Sequence, residues 1–196
     1  MVLNVVGSNP TSHPEAGIPK GVSAIFCNIK NSMKHSILFI CLGNICRSAA
    51  AEGIMKHMVE KRNLEDSFFI DSAGTSGWHA GELPDRRMRS HGADHGYDFS
   101  SRSRQFERED FDRFDHIVVM DNENYHDIMS LARSDDDKQK VSRLVDYTRH
   151  HPTMHSVPDP YYGGDRGFEL VIELLEDGCE GLLEALTGNQ NHKDSH

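Results

Sequence analysis

Short continuous apolar runs alternate along residues 36–186 with longer stretches in which apolar positions recur every three or four residues. "SILFIC" (36–41), "SFFIDSAG" (67–74), "FDHIVVMD" (114–121) and "VSRLVDY" (141–147) read as strands, short and closed by turn or charged residues. Between them, "SAAAEGIMKHMVEKR" (48–62) has helical spacing at Ile54, Met55, Met58 and Val59. "LPDRRMRSHG" (83–92) reads as a helix begun near Pro84 and stopped at Gly92, and "NENYHDIMSLAR" as another. The last helix, in "GFELVIELLEDGCEGLLEAL", puts Phe168, Val171, Ile172, Leu175, Cys179, Leu182, Leu183 and Leu186 on one stripe. Strands separated by helices imply an α/β fold with a parallel sheet, right-handed crossovers and helices on both faces.

Residues 1–34 carry three prolines and three glycines without a sustained period, and read as an N-terminal extension lacking stable structure, with Met33 as an alternative start. The compact domain is expected over 35–187, followed by a polar C-terminal tail, 188–196. The net charge of -10, from 21 Lys+Arg against 31 Asp+Glu, argues against a nucleic-acid or anionic-membrane binder, so an anionic substrate needs a local site. No run reaches the ~18 to 20 apolar residues of a membrane span, and no secretory plan opens the chain, which reads as cytoplasmic. The four cysteines, at 27, 41, 46 and 179, are too few and too irregular for a disulfide framework or a zinc finger, leaving a reactive thiol as the alternative.

The candidate chemistry lies where the first strand ends. In "ILFICLGNICRS" Cys41 is the last strand residue, Leu42, Gly43, Asn44, Ile45 and Cys46 form a loop, and Arg47 and Ser48 open a helix. A tight loop feeding a helix N-terminus aims free N–H groups at one point, which suits a phosphate. Arg47 adds a planar fork at the rim, and the same field favours thiolate at Cys41, placed for in-line attack. Gly43 and Asn44 are types that tolerate positive φ, and Ser48 can donate to the sulfur or cap the helix.

Breaking a phosphate monoester needs an acid for the leaving oxygen and then a base for water. Asp159 in "VPDPYYGG" is pinned between two prolines before two aromatics and two glycines; Asp121, ending the third strand, is the competitor unless it caps the next helix. Trp78, Tyr161 and Tyr162 are candidate walls for a flat aromatic leaving group. "RHHPTMH" (149–155), with a proline inside, does not read as a metal site.

"ILFICLGNICRS" and "VPDPYYGG", in this order on an α/β chain, resemble the low-molecular-weight protein tyrosine phosphatases, and "DSAGTSGWH", "SHG" and "FDHIVVMD" fall where that family has counterparts. The resemblance spans about residues 36–187. It implies a flavodoxin-like four-stranded parallel sheet, no metal or other cofactor, and a phosphocysteine intermediate. Carried over by motif, it implies Cys41 as nucleophile, Arg47 as phosphate binder and transition-state stabiliser, and Asp159 as acid then base. It further implies Asn44, Ser48, Ser72 and His91 as the network holding the loop, and Leu42, Ile45, Trp78, Tyr161 and Tyr162 as the substrate cleft. Cys46 is similar to the family's second loop cysteine, which traps an oxidised nucleophile as a disulfide. Expected substrates are phosphotyrosine proteins or other aryl phosphates, with the chain a monomer or weak dimer. Arsenate reductases share such a loop but need relay cysteines, and Cys179 lies on an apolar helix face. Protein arginine phosphatases tend to carry threonine where this chain has Ile45. A non-catalytic phosphotyrosine binder would need neither thiolate nor acid.

Overall fold

The computed structural model describes residues 35–188, so the expected extension (1–34) and residues 189–196 of the tail lie outside the described residues. The first strand, β1 (His35–Cys41), buries Ile37, Phe39 and Cys41 in one core cluster and Leu38 and Ile40 in another, as side-chain alternation on a strand covered from both sides requires. Because both faces are apolar, polarity alone does not set the register. Ser36 does so from below: its Oγ donates to Asp115 Oδ2 at 2.6 Å and accepts from the Asp115 N–H at 2.9 Å, fixing β1 against the strand that follows Asp115.

That strand is β3 (His116–Val119); β2 (Phe68–Gly74) pairs on the other side of β1, and β4 (Val141–Arg143) pairs with β3. All pairs are parallel and the order is β2-β1-β3-β4, the flavodoxin-like arrangement, in which the chain reverses direction across the sheet between β1 and β3. A crevice opens beyond the carboxyl ends of those two strands, and Cys41 ends one of them. The fourth strand is shorter than the sequence suggests. Leu144–Tyr147 forms a 3₁₀ turn because Leu144 and Val145 turn into the core beneath the last helix.

Helix α1 (Arg47–Lys61) follows β1 directly, α2 (Arg86–Asp94) follows β2, and α3 (Asp110–Arg113) precedes β3. Next come α4 (Asn122–Leu131), α5 (Asp135–Gln139) and the long α6 (Gly164–Gly188). Helices α1 and α6 pack on one sheet face, where Ile54, Met55 and Val59 meet Val171, Ile172, Leu175 and Cys179; Phe111 and Ile128 cover the other face. The stripe expected on α6 is buried from Phe168 to Leu183, with Leu186 half-buried at its end. None of the helices among the described residues is long and apolar enough to cross a membrane.

Gly92 does not stop α2, which continues to Asp94. Its reason is packing. The Phe99 ring lies between two helical glycines: a Cβ at Gly53 would come within 2.5 Å of Phe99 Cδ1, and one at Gly92 would come closer still. Helix propensity alone makes Gly92→Ala stabilising by roughly 1 kcal/mol. Overpacking against a ring 2% exposed reverses the sign. We expect Gly92→Ala to lose about 1–3 kcal/mol, read as a lower urea midpoint at unchanged slope; a raised midpoint defeats the packing account.

Elsewhere the histidine-rich segment serves as an anchor. Burial opposes ionisation of Asp177 on α6, yet the amides of Arg149 and His150 and the ring of His151 hold its carboxyl below the usual range. This ties the chain leading to Val157 and Asp159 to the last helix.

Candidate active site

Cys41 is 3% exposed at the strand end, and its Sγ lies 3.0 Å from Ser48 Oγ on the first turn of α1. The loop between them curls through Asn44, whose φ of 54° is left-handed. Asparagine suits this position because a short polar side chain tolerates the conformation and finds local partners. Its Oδ1 accepts from the Arg104 N–H at 2.9 Å, and its Nδ2 donates to Ser48 at 2.9 Å and Ser72 at 2.8 Å. Ser72 Oγ in turn donates to Glu52 Oε2 at 2.5 Å, and Lys56 meets the other Glu52 oxygen. With the Asn44 amide donating to both serines, each keeps its own hydrogen: Ser72 gives it to Glu52, and the Ser48 hydroxyl faces both the Cys41 sulfur at 3.0 Å and the Ala73 carbonyl at 3.3 Å.

Gly43 is not left-handed, contrary to the expectation for it. What it supplies is clearance: a Cβ there would sit 3.2 Å from the His79 ring. Its carbonyl accepts from Ser103 Oγ at 3.1 Å. The segment carrying Ser103 and Arg104 thus braces the loop from outside, joined to the end of β2 by the bridge between Gly74 and Gln105. Ser48 caps nothing; Cys46 occupies the N-cap of α1 without a side-chain cap bond.

Arg47 is buried. Its Nη1 donates to Asp121 Oδ2 at 2.5 Å and to the Val157 carbonyl at 3.1 Å, while Nη2 reaches Asp159 Oδ2 at 3.3 Å. Burial opposes the charge, but Cys41, Asp121 and Asp159 together raise its proton affinity above that of an ordinary arginine. The two aspartates occupy different positions. Asp121 holds Arg47 with one oxygen and caps α4 with the other, accepting from the Asn124 N–H at 2.7 Å. Asp159 lines the cleft with its Oδ1 accepting from the Tyr161 N–H at 3.0 Å.

The cleft holds about 210 Å³ and is lined by Cys41, Leu42, Gly43, Ile45, Cys46, Arg47, Trp78, His79, Asp159 and Tyr161. Its rim is apolar and open: Trp78 is 79% exposed, Tyr161 45% and Leu42 41%. These large hydrophobics are unshielded where a ligand would enter. The side chain of Tyr162 lies outside the described residues; its backbone belongs to the 3₁₀ turn Pro160–Tyr162. His91 is not part of the loop network. Its Nδ1 lies 2.5 Å from Glu169 Oε1 and its ring stacks on Phe168 at 5.4 Å, so the nearby carboxylate and ring of α6 hold it away from the phosphate loop.

Cys41, Cys46 and Cys179 are free thiols. Burial, joined by the charges of Asp85, Cys41 and Asp159, pushes the Cys46 thiol well above its usual range. Glu52, Asp121's hold on Arg47, His79, Ser103 and Arg104 all went unassigned from the sequence. Glu52 alone left a signal there, a carboxylate on the apolar face of "SAAAEGIM".

A family model described as low molecular weight phosphotyrosine protein phosphatase matches residues 36–192. A Synechocystis sp. protein named as a low molecular weight protein-tyrosine-phosphatase is 48% identical over 150 residues, covering 76% of this chain and 95% of the relative. The crystal structure of an Entamoeba histolytica protein tyrosine phosphatase superposes with a TM-score of 0.77 at 43% identity, covering 80% of this chain and 99% of that one. A Drosophila arginine phosphatase superposes with a TM-score of 0.69 at 32% identity, covering 82% and 99%. With the family model matched across nearly all of the described residues and a relative 48% identical over 150 residues, the chain belongs to the low molecular weight phosphotyrosine protein phosphatases.

Proposed function

We propose that this phosphatase hydrolyses phosphotyrosine and other aryl phosphate monoesters in two steps through a phosphocysteine. The observation that carries the reading is that Cys41, Arg47 and Asp159 line one cleft with an apolar rim. The dianion sits in the loop, its oxygens facing the backbone N–H groups and the guanidinium of Arg47. The Cys41 thiolate attacks phosphorus, an S–P bond forms, and the P–O bond to the tyrosine oxygen breaks. Asp159, entering as the acid, gives its proton to that oxygen, and tyrosine leaves. In the second step the Asp159 carboxylate takes a proton from water, the water oxygen attacks phosphorus, and the S–P bond breaks. Inorganic phosphate leaves and Cys41 returns as thiolate.

Asn44, steadied by Ser72 and Glu52, holds Ser48 with its hydroxyl oxygen 3.0 Å from the sulfur, where it can donate to the attacking and departing sulfur. Asp121 keeps the guanidinium from swinging. Trp78 and Tyr161 offer faces to a flat leaving group, and Ile45 adds an apolar contact at the cleft floor, which favours a phenol over a guanidinium.

The test is phosphate release from phosphotyrosine, phosphoserine and phosphoarginine peptides, without added metal and with EDTA present. Preference for phosphotyrosine is expected. Preference for phosphoarginine, the substrate class named for the Drosophila relative, keeps the loop chemistry and overturns the cleft argument.

A further inference from the structure

We infer that Arg87 is a positioning residue, a strut that carries the geometry of the phosphate loop to the general acid. The inference rests on the assignment of Asp159 made above. Arg87 is not itself among the residues lining the cleft, and it reaches them only through Tyr161. What it joins is more informative.

The connection starts in the loop, where the Ile45 carbonyl accepts from the Asp85 N–H at 2.7 Å. The Asp85 carboxylate caps α2 by accepting from the Arg87 N–H at 2.8 Å, and also grips the guanidinium, at 3.1 Å to Nε and 2.9 Å to Nη2. This fork leaves Nη1 aimed away from Asp85. It donates to the Tyr161 carbonyl at 3.1 Å. The N–H of that same residue donates to Asp159 Oδ1 at 3.0 Å. Four hydrogen-bonded links therefore run from the phosphate loop to the carboxyl that must meet the leaving oxygen.

Stacking supports the bonds. The Arg87 guanidinium carbon lies 5.0 Å from the Tyr161 ring centroid and 4.9 Å from that of Phe168, within cation–π range of both. Phe168 is fully buried at the start of α6 and carries the His91 ring on its face, so the strut rests on a fixed floor. A planar donor gripped in a fork suits this role better than a lysine, which offers a single point charge on a flexible stem.

A strut of this kind has a kinetic signature that a stabilising surface residue lacks. Misplacing an acid harms departure of a weakly acidic phenol and spares a strongly acidic one, which leaves without a proton. The experiment compares wild type, Arg87→Met, Arg87→Lys and Asp159→Asn. It measures kcat/KM over aryl phosphates whose phenols range from weakly to strongly acidic, with the inhibition constant of inorganic phosphate measured alongside. Methionine keeps the apolar stem over Phe168 and removes every donor.

For Arg87→Met we expect about a tenfold loss with the least acidic phenol, shrinking toward none with the most acidic, and phosphate inhibition within about twofold of wild type. Arg87→Lys should regain part of the loss. A flat response in Arg87→Met beside a steep one in Asp159→Asn overturns the strut alone. A uniform loss across all phenols, or weakened phosphate inhibition, also overturns it, because the residue then serves the loop or the fold. Flat responses in both variants remove the acid assignment, and the strut with it.

Discussion

Cys41→Ser is expected to leave a folded protein that binds inorganic phosphate and hydrolyses aryl phosphates at least about 10⁴-fold more slowly. On the proposed mechanism the exchange removes the atom that attacks phosphorus and leaves the cradle in place. A serine hydroxyl needs a neighbouring base to become a nucleophile, and the side chain beside position 41 is another hydroxyl, that of Ser48, which is a poor base. Arg47, held by Asp121 and Val157, and the loop held by Asn44 do not depend on the sulfur. Two measurements separate the effects: steady-state turnover of an aryl phosphate, and phosphate binding by calorimetry. Acid quenching during turnover should trap phosphorus on Cys41 in the wild type and none in the variant. Turnover at the wild-type rate in Cys41→Ser would sink the nucleophile assignment.

Asp159→Asn is expected to lose about 10² to 10⁴ in kcat/KM for a weakly acidic phenol, the range associated with a general acid. The amide keeps the shape of the carboxyl and its acceptor oxygen for the Tyr161 N–H, so the loop geometry is preserved while the transferable proton is lost. Since the same group is the base for water, a strongly acidic phenol gives a different picture: fast release of about one equivalent, then slow turnover as the phosphoenzyme accumulates. If both phases match wild type, the proton comes from elsewhere, and Asp121, with Arg47 and the α4 amide already on its oxygens, is next to test.

The catalytic loop was legible because its parts are local. Cys41, Asn44, Arg47 and Ser48 lie within eight residues, and the apolar run before them and the helical spacing after them announce a strand and a helix meeting at a turn. The alternation of buried strands and amphipathic helices gave the layers of the fold for the same reason. What could not be read depends on pairings far apart in the chain. Asp121 lies 74 residues from Arg47, and only the position of β3 beside β1 makes it the arginine's partner. Arg104 supports Asn44 through a backbone N–H, which no side-chain pattern reports. His91 was misread because its destination depends on how α2 meets α6, where Glu169 waits. Gly92 was misread because a glycine in a helix signals an end only when nothing packs against it, and Phe99 does.

The strand that carries the nucleophile is paired along its length to β2 and across its middle to β3, with every side chain from Ile37 to Ile40 fully buried. In the language of amide hydrogen exchange it is expected to belong to the slowest, globally opening class, and the turn at Asp159–Gly163 to exchange through local openings. The two groups proposed to react would then lie at opposite ends of the protection scale. On the proposed mechanism the attacking sulfur is anchored in the sheet, while the acid is carried by a turn whose register comes from side-chain and backbone ties outside the sheet.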